Sequence, residues 1–298
     1  MNQKTITIIL KGGLGNQLFQ YAAAKNIAEK NGAKLYIDAQ TGFNGDPFKR
    51  SFSLNVFNIS STVLYPKKII KFNVFQINKY FIILLNRLFF LKFRFKIIEK
   101  TYQFDPAFEV LTITYPVSLE GYFQSEKYFI NIRDILLKEF EFKNPPNPIG
   151  QKYLDEISKL NSVSIHFRKY DSPNTIDTSS INGICSLEYY IKAINFIQNN
   201  IQTPFFYIFS DDIEWVKKNI DTSGLDVKYI SHNGTESNYE DLRLMSACKH
   251  NIIANSSFSW WGAWLNKNPD KIVIAPKKWL ASDKYDYKDV VPEKWIKL

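Results

Sequence analysis

Three short polar residues, Asn255, Ser256 and Ser257, separate an apolar run at 251–254 from Phe258, Trp260, Trp261 and Trp264, which recur at near-helical spacing. That order reads as a buried strand, a polar turn and a helix with a heavy aromatic face. Any of the three can cap the helix. The free N–H groups and the dipole at the helix start favour an anion such as phosphate. A second group, His166, Arg168, Lys169 and Asp171, ends the apolar run 162–167. Arg168 can fork two donors onto a diphosphate and stabilise negative charge developing there. A third is the glycine turn KGGLGN at 11–16. Gly13 and Gly15 would let a ligand approach the backbone, and Asn16 and Gln17 would point amides into the same crevice. Asp211 and Asp212 precede another helical pattern, where adjacent acids serve as a cap with first-turn charge or as metal ligands; the cap is the expectation.

These residues need elements to position them, and the chain alternates strands with helices. Residues 5–10 form a β-branched strand, the glycine turn follows, and a helix carrying Ala22, Ala23 and Ala24 runs to about residue 31 before a strand at 34–38. The glycine spacing is not the dinucleotide fingerprint, and Asp38 alone is weak support for one. Residues 39–60 read as loop, 65–100 as a basic helical segment, 117–123 as a strand, and 125–140 as an amphipathic helix. NPPNPIG at 144–150 ends that helix and extends the chain, so it reads as the linker between domains at 1–147 and 148–298. The last helix is placed to pack back on the first domain. Apolar runs at 162–167, 205–210, 227–231, 251–255 and 271–276 then alternate with helical patterns, the mark of a parallel sheet covered on both faces. The expected fold is α/β, with two Rossmann-like doubly wound domains facing a central cleft and ligands at the carboxyl ends of the strands.

Composition bounds the partners. In 298 residues, 45% hydrophobic and 16% aromatic content exclude a disordered chain. A formal charge of +9 admits nucleic acid, an anionic membrane surface or a phosphorylated small molecule. The cations are spread along the chain and match no nucleic-acid motif, so nucleic acid is not expected. Cys185 and Cys248 make neither a disulfide framework nor a metal cluster, which points to the cytoplasm. The first apolar run is too short for a signal peptide. The stretch 80–98 is interrupted by Asn86, Arg87, Lys92, Arg94 and Lys96 and cannot serve as a membrane span. It reads as a helix packed on its own domain, or as a basic amphipathic helix resting peripherally on an anionic inner membrane.

Five segments together carry a resemblance: KGGLGNQLFQYAAAKNIA at 11–28, EGYFQSEKYF at 120–129, SIHFRKYD at 164–171, FSDDIEWVKKNI at 209–220 and ANSSFSWWGAWLN at 254–266. They resemble the bacterial α-1,2-fucosyltransferases of glycosyltransferase family eleven. The resemblance implies a GT-B fold and inverting, metal-independent transfer of L-fucose from GDP-β-L-fucose to the 2-hydroxyl of a galactoside. The partners implied are GDP-fucose and a galactose-containing oligosaccharide, such as a lipid-linked O-antigen unit, with the acceptor on 1–147 and the donor on 148–298. By the resemblance, His166 and Arg168 meet guanine and the β-phosphate, Asp241 takes the guanine edge, and Ser256, Ser257 and Phe258 hold the diphosphate. A carboxylate suits guanine, whose N1–H and 2-amino group are adjacent donors. The family pattern HxRRGD is altered here, since Lys169 and Tyr170 stand in place of the second Arg and the Gly.

Inversion by single displacement needs a base near the acceptor hydroxyl. Asp171 and Asp177 follow Arg168 in a loop. The offset of the base in related enzymes falls on Ile176, one residue before Asp177, while Asp38 and Glu120 approach from the first domain. Two rival readings stay open: a transferase for another GDP-sugar or linkage, and a basic binding module without catalysis.

Overall fold

The computed structural model describes residues 4–66, 95–169, 185–233, 237–280 and 286–298. It contains two parallel sheets with helices packed on them, an α/β fold of GT-B type. The first sheet is built from β1 (Thr5–Ile9), β2 (Lys34–Asp38), β3 (Thr62–Leu64), β4 (Phe95–Ile98) and β5 (Val117–Glu120), in the order β3-β2-β1-β5-β4. The second uses β6 (Asn161–Phe167), β7 (Pro204–Ser210), β8 (Asp226–Ile230), β9 (His250–Ile252), β10 (Val273–Ala275) and β11 (Ile296–Lys297), in the order β11-β10-β9-β6-β7-β8. The strand direction of winding reverses between β1 and β5 in one sheet and between β6 and β9 in the other. Such switch points open a crevice at the carboxyl ends of the strands, where open α/β sheets bind ligands.

Seven α-helices are described: α1 (Leu14–Asn31), α2 (Arg133–Glu139), α3 (Pro148–Lys159), α4 (Leu187–Asn200), α5 (Ile213–Asn219), α6 (Asn238–Ala247) and α7 (Ser257–Leu265). The aromatic face of α7 is buried against the first sheet's layer. Trp260 and Trp261 are 0% exposed, and their rings lie 4.4 and 5.1 Å from that of Phe19 on α1. Phe140 meets Trp261 edge-on at 5.3 Å. Burying each such ring removes 150–250 Å² of roughly apolar surface from water, so this cluster is a large share of what joins the two layers.

The structure departs from the sequence expectations at three places. The segment 65–100 was expected to be helical, but its described end is the strand β4, in which Phe95 and Ile97 are the less exposed positions. Residues 67–94, and with them most of the basic stretch 80–98, lie outside the described residues. The Pro-rich stretch at 144–150 does not extend the chain throughout. Asn147 caps α3 by accepting the Gly150 N–H at 2.7 Å, and Pro148 occupies the first turn, where its missing N–H costs nothing. The amphipathic pattern at 125–140 forms two 3-10 turns before α2.

Candidate active site at the facing strand ends

The β6/β9 switch point gathers most of the expected site residues. His166 lies near the end of β6, 5% exposed, and its Nδ1 has no hydrogen-bond partner. Burial, then the positive charge of Arg168, push its pKa well below the usual histidine range against the opposing pull of Asp211, so the imidazole is neutral near pH 7. Its ring faces Phe258 at 5.9 Å. Arg168 forms an ion pair with Asp211 at 3.3 Å and stays about one-third exposed. Asp211 also accepts the Lys169 N–H at 3.0 Å. Asp212 caps α5 through the Trp215 N–H at 2.9 Å and meets the Lys169 ammonium at 3.3 Å. The two acids are therefore spent on an arginine, a lysine and a helix start. Asp171 and Asp177 lie outside the described residues.

Beyond β9, Ser256 caps α7 by accepting the Phe258 N–H at 3.3 Å, and Ser257 is half-buried. Asn255 serves differently from expectation. Its Nδ2 donates to the Trp279 carbonyl at 3.1 Å and its Oδ1 accepts from the Cys185 thiol at 3.4 Å, so its side chain ties down the turn and is not offered to a ligand.

The glycine turn faces this seat directly. A β-carbon on Gly15 would come within 2.4 Å of the Ser257 carbonyl carbon and 2.6 Å of the Phe258 nitrogen, so Gly15 is required by contact between the two turns. Gly12 adopts a φ of 78°, a region natural to glycine. Gly13 is the N-cap of α1, and its nearest neighbour would be Arg50 Nε at 4.0 Å. Asn16 accepts from Gln124 Nε2 at 2.8 Å. Gln17 is corrected: its amide donates to the carbonyls of Gly12 and Ser51, both at 2.9 Å, and accepts the Ser53 N–H at 2.8 Å. Fully buried and satisfied, it pins the 51–53 loop to the turn and does not reach the crevice.

Asp241 sits near the start of α6, beside the end of β8. Its carboxylate accepts from Asn233 Nδ2 at 2.7 Å, and burial raises its pKa to about 6. Both ring nitrogens of His232 and the Oδ1 of Asn233 are buried without partners. Polar atoms left this way are costly unless something else satisfies them. Sequence reasoning missed Asn233, Arg50 and Gln124 as neighbours of the site. The acid pair after β7 indicated Asp211, and the end of the run 227–231 indicated His232; nothing in the spacing pointed to the other three. Asp38, weighed as a base, is 2% exposed and bonds the Gln40 and Thr41 N–H groups and the Thr41 hydroxyl.

Comparison with known proteins gives a consistent outcome. The family model described as Glycosyl transferase family 11 matches residues 1–298. The chain is 34% identical to an alpha-1,2-colitosyltransferase of Escherichia coli, covering 97% of both chains. It is also 34% identical to the O-antigen biosynthesis glycosyltransferase WbnK of the same organism, over 97% of this chain and 99% of the relative. A galactoside 2-alpha-L-fucosyltransferase Sec1 of Mus musculus is 26% identical over 87% of this chain and 64% of its own length. Among solved structures, the NodZ alpha-1,6-fucosyltransferase soaked with GDP-fucose superposes with a TM-score of 0.51 at 15% identity, covering 89% of this chain and 93% of its own, a likeness of fold.

Proposed function

The chain belongs to glycosyl transferase family 11, and from that premise we propose that it is an inverting fucosyltransferase moving L-fucose from GDP-β-L-fucose to the 2-hydroxyl of a galactoside in surface-glycan synthesis. The observation that carries this reading is the meeting of Arg168, the orphaned His166 nitrogen and the start of α7 at one switch point, against the glycine turn. A nucleoside-diphosphate sugar needs just these parts: a cation and N–H groups for its diphosphate and buried polar partners for its base. The 2-linkage is common to the names of the colitosyl and galactoside relatives, and WbnK is named for O-antigen synthesis.

In the proposed reaction the acceptor oxygen attacks the anomeric carbon as the carbon–phosphate-oxygen bond breaks. The bonding pair leaves on the β-phosphate, where Arg168 neutralises it. The acceptor proton goes to a carboxylate, for which Asp171 and Asp177 remain the proposed groups, or to the leaving phosphate. No metal has a role in this scheme, because the cation is supplied by the protein and Asp211 and Asp212 are already engaged. Activity in EDTA equal to that in added magnesium is the expected result; loss in EDTA restored by magnesium would refute it. The acceptor is proposed to be lipid-linked, with the enzyme peripheral to the inner membrane. Among the described residues no helix is long and apolar enough to cross one.

The colitosyl relative favours a second reading, in which the transferred sugar is colitose. Incubation of the purified protein with a galactoside and either GDP-fucose or nucleotide-activated colitose, with the product linkage read by NMR, separates the two. Hydrolysis of neither donor would leave the basic binding module.

The raised pKa of Asp241 makes the guanine assignment testable by pH. In the free protein the proton is held more tightly in the folded state than in the unfolded, so this group's contribution to stability declines as pH rises from about 4 to about 6. The guanine donors need the carboxylate, so GDP affinity should rise with pH through about 6 and then level off. Asp241→Asn should remove that component of the profile and weaken GDP binding about ten- to a hundredfold at pH 8, the worth of a buried charged hydrogen bond. Titration calorimetry of both proteins across pH 5 to 8 checks it, and the variant controls for titration of the GDP phosphate itself. Superimposable profiles would remove Asp241 from the site.

A further inference from the structure

The first sheet has its own switch point, between β1 and β5, and nothing in the donor reading uses it. At its carboxyl lip the Lys11 ammonium lies 3.4 Å from one oxygen of Glu120, and Lys96 pairs with the other. Lys11 and Glu120 are each about one-quarter exposed. Beside them the Tyr122 ring lies parallel to Tyr102, with centroids 6.2 Å apart and planes within 9°, and the Lys11 ammonium is 4.8 Å from its centroid.

The turn carrying Tyr122 is held firmly. Glu99, just past β4, accepts the N–H groups of Tyr122 at 2.7 Å and Phe123 at 2.8 Å. Gly121 lets that acid pass beneath, since a β-carbon there would stand 2.5 Å from the Glu99 Cβ. Phe123 is fixed at a φ of 52°, a conformation a bulky residue keeps only when its surroundings impose it. One residue on, Gln124 grips Asn16 in the glycine turn, and Gly15 of that turn touches Ser257 and Phe258 at the donor seat. The EGYFQS stretch thus links the first switch point to the second.

We propose that this lip is the acceptor-sugar subsite, with Tyr122 and Tyr102 packing against the C–H face of a neutral pyranoside and Glu120 and Lys11 bonding its adjacent hydroxyls. The assignment rests on the glycosyl-transfer reading. A neutral sugar fits the chemistry, because each lysine already pairs with an oxygen of the single Glu120 carboxylate at the centre of the patch, which leaves hydroxyl donors and acceptors as the groups it can add. Hydroxyl pairs can both donate to the carboxylate and accept from the ammonium, and an aromatic ring offers an apolar platform beside them.

The test uses the full chain with methyl β-galactoside as acceptor. Glu120→Gln and Tyr122→Leu should each raise the acceptor KM about tenfold or more, while Tyr122→Phe, which keeps the ring, stays within about twofold. GDP dissociation constants by calorimetry should stay within about twofold in all three, which also confirms folding. Saturation-transfer NMR of methyl β-galactoside should show contact with the wild-type protein and weaker contact with Tyr122→Leu, a readout that needs no donor turnover. Acceptor KM values unchanged in Glu120→Gln and Tyr122→Leu would overturn the assignment, as would the absence of saturation transfer to the wild type. Failure to use GDP-fucose with intact saturation transfer would instead refute the donor reading and leave the sugar subsite standing.

Discussion

Gly15→Ala should lower the melting temperature by about 6–12 °C and cut turnover sharply, whereas Gly13→Ala, two residues away, should melt within a few degrees of the wild type. The difference lies in what each added methyl meets. At Gly15 it would stand 2.4 Å from the Ser257 carbonyl carbon and 2.6 Å from the Phe258 nitrogen. Those are backbone atoms of a helix start anchored by buried tryptophans, so relief requires the glycine turn and α7 to move apart. Overpacking of this kind costs about 3 kcal/mol or more at the upper end of its usual range, and each kcal/mol is worth roughly 2–4 °C in a chain of this class. At Gly13 the φ of −75° suits any residue and the nearest neighbour is the flexible end of Arg50, at 4.0 Å. If Gly13 lines the donor crevice, its alanine variant should instead weaken GDP binding. Thermal melts and calorimetry on the pair read the two effects separately. Equal melts for both variants would show that the two turns are not pressed together as described.

The same contact shows how far the sequence could be read. Five apolar runs in the second half announced the parallel sheet, because strands buried on both faces leave an unbroken hydrophobic signal, and strand, glycine turn and helix announced the first. β11 left no comparable trace: two residues, Ile296 and Lys297, become a strand only because β10 lies beside them. β4 was masked by the basic, aromatic composition around it. The helix at Pro148 was legible in principle, since an Asn–Pro pair is a cap followed by a first-turn proline. At the site, residue types suggest an anion seat, and the switch-point topology says where on the sheet such a seat would lie. What they could not indicate was which amides are free. Gln17 and Asn255 stand beside the right turns, yet the carbonyls of Gly12, Ser51 and Trp279 reach them first, and such pairings depend on chain segments far away in sequence.

The largest catalytic effect is expected at Arg168. If its guanidinium neutralises charge growing on the β-phosphate, its contribution increases as the fucosyl–oxygen bond breaks, so Arg168→Lys should lower kcat more than it raises the donor KM. Lysine keeps the charge but loses the planar fork, and removing a preorganised donor of this kind costs on the order of 3 kcal/mol, about a hundredfold in rate. The structure supplies a specific rival, that Arg168 exists to pair with Asp211 at 3.3 Å. A pair this exposed contributes only about 0–1 kcal/mol to stability, so under the rival Arg168→Lys and Asp211→Asn would each shift the melt slightly and leave kcat within about twofold. Under the catalytic assignment Asp211→Asn has an intermediate effect on kcat, because the guanidinium keeps its charge and loses one of the contacts that aim it. Lys169→Arg is the internal control: its ammonium is engaged by Asp212 at the start of α5, and its exchange should leave the rate nearly unchanged. Steady-state constants for the three variants, with melts beside them, give the ordering. A kcat for Arg168→Lys no lower than that for Lys169→Arg would end the assignment of Arg168 as the cation that stabilises the leaving diphosphate.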